Sequence, residues 1–257
     1  MSQVSLTNVS KTFAIRVDNQ MQAVHALKSV SFQVEKSEIV TLIGPSGCGK
    51  TTALRILMGL ETASRGAVVV AGKTVKGCGY DRGLVFQHAE LLPWLTALQN
   101  IKFGLEMKGM KGTELEDTAR RYLDLVGLKD AASRRPYQLS GGMKQRVGIA
   151  RALAIDPEVL LMDEPFGALD AQTRETLQAE LLDIQVRTQK TIVFVTHDLD
   201  EAVLLADRII VMRAGGIQEI ITVDLPRPRG DLGMLRGSKE FAGARYTVWK
   251  ALHGATH

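Results

Sequence analysis

Five short stretches of this chain hold residue types at spacings that can do chemistry. The first, "GPSGCGKT" from Gly44 to Thr51, fits G-x-x-x-x-G-K-[ST], a loop that cradles phosphates. It follows an apolar run and opens a helical pattern, the context this loop requires. Phosphate oxygens need converging backbone N–H donors without side chains in the way, hence the glycines. Lys50 then supplies a point charge for β- and γ-phosphates, and Thr51 a hydroxyl for Mg²⁺. Cys48 reads as a small residue filling the loop.

The second stretch, "EVLLMDEP", ends an apolar run on two carboxylates. Alone the pair could simply cap the next turn. Beside a phosphate loop, an acidic strand end serves to hold Mg²⁺, and Asp163 fits that place. Glu164 is then positioned to polarise an attacking water. The third and fourth stretches supply two strand ends, Gln87 of "GLVFQ" and His197 of "TIVFVTH". A lone histidine at such a place is more often a cap or core residue. The C-terminal sheet edge is where α/β proteins bind ligands, which favours a ligand role for His197. Gln87 reads either as an exposed polar strand end or as an amide reaching Mg²⁺ or the nucleophilic water.

The fifth stretch is "LSGGMKQRVGIARAL", from Leu139 to Leu153. Ser140 suits the N-cap of a helix that is amphipathic from Met143 onward. Gly141 and Gly142 behind it keep amide N–H groups accessible at a positively polarised helix end, a place for an anion.

These residues need elements to hold them. Strand patterns run over Ser37–Gly44, Gly66–Gly72, Gly83–Gln87, Glu158–Pro165, Thr191–His197 and Arg208–Met212. Several are apolar without alternation, as in strands covered on both faces. Helical patterns lie at Lys50–Leu60, Glu114–Val126, Met143–Ile155, Gln172–Arg187 and Leu199–Ala206. The alternation predicts an α/β fold with a mainly parallel sheet. From His88 to Ile155 no strand pattern appears, so this part reads as a helical insertion. Its Glu116/Arg120 and Asp117/Arg121 pairs mark a solvated face. Past "VDLPRPRG", proline and glycine end regular structure and leave a short tail.

Composition sets the outer limits. The 257 residues are 45% hydrophobic and 23% charged, as in ordinary globular proteins. No apolar run approaches the roughly 18 residues that span a bilayer. The start lacks the layout of a secretory signal. Two cysteines, Cys48 and Cys78, suit neither a zinc site nor a disulfide framework, which predicts a reducing compartment. The net charge of +4 is spread along the chain and does not point to nucleic acid.

In this order, "GPSGCGKT", "LSGG", "LLMDEP" and "VTH" resemble the nucleotide-binding subunits of ABC transporters over nearly the whole chain. The resemblance implies a P-loop NTPase (RecA-like) core over 1–87 and 156–225, with an N-terminal antiparallel β region. A helical signature subdomain over 88–155 and a tail over 226–257 complete a single ATPase domain. It further implies that Gly44, Pro45, Ser46, Gly47, Cys48, Gly49, Lys50, Thr51 and Thr52 contact ATP. Thr51, Gln87 and Asp163 would hold Mg²⁺, with Glu164, His197, Lys50 and Gln87 acting in hydrolysis. Phe13 looks like the aromatic that stacks on adenine, though an ordinary core phenylalanine would read the same.

"LSGGM" looks like the family signature, so Ser140, Gly141 and Gly142 would bind the γ-phosphate of ATP held by a second copy. "GALD", ending at Asp170, is similar to the loop that joins the two sites across that homodimer. Met143 departs from the glutamine usual there. "LLPWLTALQN" resembles the segment that meets the membrane subunit, with Trp94 a candidate contact. Fused transmembrane helices, heptad coiled coils, zinc-binding cysteines and a second cassette are all missing. That favours a separate importer subunit over a nucleic-acid-associated ABC ATPase. "GLVFQHAELLPWLTALQNI" and "DLPRPR" look like the nitrate, taurine and aliphatic sulfonate branch. Its members sit peripherally on the cytoplasmic face of the membrane with a permease and, indirectly, an extracytoplasmic solute-binding protein.

Overall fold

The computed structural model describes residues 2–17 and 20–254. In chain order the elements begin with β1 (Val4–Val17), β2 (Gln20–Val34), β3 (Ile39–Ile43), α1 (Lys50–Met58), β4 (Arg65–Val70) and β5 (Lys73–Thr74). Next come β6 (Arg82–Val85), α2 (Ala97–Met107), α3 (Gly112–Leu125), α4 (Gly141–Ala154), β7 (Val159–Asp163) and α5 (Ala171–Thr188). The chain ends with β8 (Thr191–Thr196), α6 (Leu199–Leu205), β9 (Arg208–Arg213), β10 (Gly216–Thr222), α7 (Leu232–Arg236) and α8 (Lys239–His253). They fall into two compact units, Met1–Gly79 with Lys190–His257, and Tyr80–Gln189.

The first unit holds two sheets. In one, β2, β1, β4 and β5 lie side by side and every pairing is antiparallel. In the other, β10, β9, β3 and β8 follow in that order, with β3 parallel to both neighbours and β10 antiparallel at the edge. All residues of β3 and β8 are buried. Their mainly apolar sequences, without alternation, therefore reflect a sheet covered on both faces and not a half-exposed strand.

The second unit pairs β6 with β7 in parallel and is otherwise helical. Between 88 and 155 it holds only helices and single 3-10 turns, as the sequence predicts. Glu116 of α3 does pair with Arg120 at 2.6 Å, and it reaches Lys102 of α2 at 2.9 Å as well.

The tail differs from the expectation. Residues 223–230 are irregular, but Asp231 and Ser238 then cap two further helices through their side chains. Phe241, Val248 and Ala251 recur on one face of α8 and enter a core shared with α6, β9 and β10. Proline broke the chain only locally; the amphipathic period behind it was strong enough to restart a helix. Phe241 is 3% exposed. Phe241→Ala is expected to cost about 3–5 kcal/mol in urea unfolding, and a loss under about 0.5 kcal/mol would mean that α8 merely rests on the surface.

Candidate active site

In the first unit the site starts where β3 ends. Ile43 stands opposite Thr196 in the parallel β3–β8 ladder, so the Gly44–Gly49 loop and His197 leave the sheet at one edge. Gly44 is buried and its backbone packs on Met212, while Pro45, Ser46 and Gly47 are exposed. Gly49 takes a φ of 106° at the N-cap of α1, and a methyl there would lie 2.5 Å from the Ala26 carbonyl oxygen. Only glycine meets both demands. No side chain caps α1 and its first turn carries no acid. Thr51 and Thr52 sit half-buried in that turn, beside a depression of about 130 Å³.

Lys50 is the decisive group. It is 6% exposed, and its Nζ donates to the carbonyl oxygens of Gly44 at 2.7 Å and Pro45 at 3.2 Å, with the Cys48 sulfur at 3.9 Å. Among the described residues these neutral groups are its partners. A buried ammonium without a counter-charge, next to uncapped amides, is a donor set that fits a polyphosphate.

His197 is exposed on a turn whose neighbours are locked. The Thr196 hydroxyl donates to Glu201 at 2.6 Å and accepts from the Asp198 amide at 3.0 Å, while Asp198 caps α6 by accepting from Glu201 N at 2.9 Å. The Asp-x-x-Glu spacing from Asp198 to Glu201 is the sequence signal of this cap. Phe13 lies half-buried on β1, opposite Val24 of β2, and the Lys11 ammonium stands 4.7 Å from its ring centroid.

The second unit gathers the other group. Val85 pairs with Met162, so Gln87 and Asp163 emerge together where β6 and β7 end. Glu164 follows with a φ of 46°, a conformation that costs a non-glycine residue on the order of 1–3 kcal/mol. Its carbonyl accepts from Gly167 N at 3.1 Å, closing a tight turn. A methyl on Gly167 would lie 3.1 Å from Gln87 Nε2, so the amide of Gln87 rests on that turn. Asp170 caps α5 by accepting from Thr173 N at 3.0 Å, and this backbone hydrogen bond holds its carboxyl below the usual range.

Ser140 caps α4 as predicted, accepting from Met143 N at 3.3 Å. Its two glycines differ. Gly141 is exposed, but Gly142 is buried, and a methyl there would stand 2.5 Å from Thr173 Cγ2. The second glycine thus serves the packing of α4 on α5 as much as access to the helix end. Sequence reading also missed Asn100, fully buried on α2. Its side chain binds the Leu92 amide at 2.8 Å and the carbonyls of Leu92, Leu95 and Thr96. That ties down the loop on which Trp94 stands 64% exposed. A polar residue on the apolar face Ala97–Leu98–Ile101 was the available clue. No cluster of three or more His, Cys, Asp or Glu among the described residues could hold a metal. Asp163, at the end of β7, offers the kind of oxygen donor that Mg²⁺ takes.

A family model described as "ABC transporter" matches residues 27–167, more than half of the chain. This chain belongs to the ABC transporter family. An uncharacterized ABC transporter ATP-binding protein of Methanocaldococcus jannaschii is 51% identical, over 88% of this chain and 84% of that one. The nitrate import ATP-binding protein NrtD of Synechocystis is 48% identical, over 87% and 83% of the two chains. Among solved structures, an ATP-binding cassette seen as a dimer in a post-hydrolysis state with ADP and Pi matches with a TM-score of 0.74. It is 35% identical, over 85% of this chain and 98% of that one. The ABC chain described here is accordingly an ATPase that uses ATP with Mg²⁺. Among its described residues no helix is long and apolar enough to cross a membrane.

The packing of this ABC chain at Gly142 can be tested directly. Gly142→Ala is expected to lose about 1–3 kcal/mol through overpacking against Thr173. Adding Thr173→Ser, which removes the offending methyl, should restore most of the melting temperature. An unchanged melting temperature in Gly142→Ala alone would refute the contact.

Proposed function

We propose that this chain is the ATP-hydrolysing subunit of a bacterial importer for a small anionic solute of the nitrate, sulfonate or taurine type. The observation that carries the ATP site is the buried Lys50 ammonium beside an uncapped helix end. The likeness to a nitrate import protein over most of both chains supports the importer reading and the class of solute. None of the relatives named above favours a nucleic-acid-associated ATPase.

In this reading the loop from Gly44 to Thr52 wraps the phosphates, with Lys50 on the β- and γ-phosphates and Phe13 against adenine. Thr51, Gln87 and Asp163 hold Mg²⁺. ATP supplies the phosphoanhydride, and Mg²⁺ offsets charge on its oxygens. Glu164 accepts a proton from the attacking water, while Lys50 and His197 steady the charge that develops. Ser140, Gly141 and Gly142 of a second copy close the site, and Asp170 lies in the loop that links the two sites of the homodimer. Residues 88–155 act as the signature subdomain of the single ATPase domain, and Trp94 meets a separate permease. The protein then works at the cytoplasmic face of the membrane, with a solute-binding protein on the other side.

Glu164→Gln is expected to lower turnover by about 10²–10⁴-fold while ATP-dependent dimers persist in size-exclusion chromatography. Wild-type turnover in that variant would remove Glu164 from its role. The same variant, tagged and recovered with ATP from detergent-solubilised membranes, should bring down one multi-span permease. Recovery of nucleic acid without a permease would overturn the importer reading.

A further inference from the structure

Between Val85 at the end of β6 and Ala97 at the start of α2 the chain has no helix or strand, yet it is held by buried polar side chains. Asn100 fixes its second half, around Trp94. Its first half, which carries Gln87, is fixed by α4. The Gln145 side chain, 2% exposed, donates from Nε2 to the Phe86 carbonyl at 2.9 Å. Two turns further along α4, Arg151 donates from Nη1 to the Glu90 carbonyl and from Nη2 to the Ala89 carbonyl, each at 2.8 Å. Between them Gly148 lets the loop approach, since a methyl there would touch Ala89 Cβ at 3.4 Å. One face of α4 therefore grips the loop on both sides of Gln87 and His88, which stay exposed.

The charges facing the grip are simple. Burial pulls the Arg151 guanidinium down, and the nearby Glu90 carboxylate opposes that fall. Arg151 spends its fork on main-chain oxygens, an arrangement that fixes backbone position and that a lysine cannot reproduce. The helix that does this is also the helix whose first residues, Ser140 to Gly142, form the signature. A cleft of about 490 Å³ is lined by Gln87 and Glu90 from the loop and by Gly141, Lys144 and Gln145 from α4. Loop and signature thus share one wall.

We infer that Gln145 and Arg151 are positioning residues that set the place of Gln87 and tie it to the signature end of α4. The inference rests on the role proposed for Gln87 only in its kinetic part. Its structural part stands on the hydrogen bonds alone.

The test uses the full chain with Gln145→Ala, Arg151→Lys and Gln87→Ala, singly and in pairs. Amide exchange over residues 86–91 should quicken about tenfold or more in Gln145→Ala and in Arg151→Lys, while β7 and α5 keep wild-type protection. Turnover should fall about tenfold in each with KM for ATP nearly unchanged, the mark of a group that is misplaced but still present. In the Gln87→Ala background the same substitutions should cost nothing further, because what they position is gone. A merely structural role would lower turnover equally in both backgrounds, and that result would overturn the inference. So would unchanged exchange in the loop in both single variants. Wild-type turnover in Gln87→Ala alone would remove Gln87 from hydrolysis without touching the grip, which the exchange data then decide.

Discussion

A lysine ammonium taken out of water without a carboxylate beside it is the constraint that most of the first unit serves. Burying such a charge is unfavourable unless something negative is bound or nearby. Two carbonyl oxygens and a sulfur accept from Lys50 Nζ, which satisfies its hydrogen-bonding directions but not its charge. The uncapped end of α1 adds further positive potential on the same side. β3, buried throughout, and the Gly49 approach to Ala26 hold this arrangement against relaxation. A polyphosphate is a group whose charge would complement that arrangement. In the proposed reading, a bound phosphate would therefore stabilise the loop as well as fit its shape.

The second unit solves a different problem, which is to place several polar groups accurately on irregular chain. It does so by making one helix serve three neighbours. The start of α4 is capped by Ser140, its Gly142 lies against Thr173 of α5, and its Gln145 and Arg151 hold the loop after β6. Glu164 and Asp170 flank a turn that leads straight into α5. Because α4 and α5 touch through a glycine, a shift of either helix is felt at the signature, at the Gln87 loop and at the turn after Glu164. Close packing of this kind moves in discrete steps and not by small elastic deformation.

Much of this was legible in the amino-acid order, and the parts that were not share a cause. The phosphate loop, the paired carboxylates, the signature cap and all six strand patterns depend on local spacing, which a sequence displays. The β1–β2 hairpin escaped direct reading because register shifts between Leu6 and Lys11 break its alternation. The tail departs from the sequence expectation because "DLPRPR" ends one element firmly, while the helical period of α8 starts only behind it. Asn100, Gln145 and Arg151 were passed over because their partners are main-chain atoms of a loop, and no pattern of side chains records such a bond. Gly142 reads in the sequence as a bare residue at a helix start, and its close approach to Thr173 is visible only in the packing.

The tail also has a reason that reaches the site. Arg229, 5% exposed, donates to the carbonyls of Leu204, Ala206, Leu225 and Pro226, and burial pulls its guanidinium down to about 10. Two of those carbonyls close the C-terminal end of α6, where cations are favoured by the helix dipole. At the opposite end of α6, Arg245 of α8 reaches Asp200 at 2.6 Å, three residues beyond His197. The exposed Arg245 pair contributes little by itself. The buried Arg229 fork and the apolar core under α8 do more, because they leave α6 no room to slide. With α6 fixed at its far end and capped by Asp198 at its near end, the turn that carries His197 is determined from both sides. The segment past the prolines therefore helps to set the turn that carries His197, although it lies far from that turn in sequence.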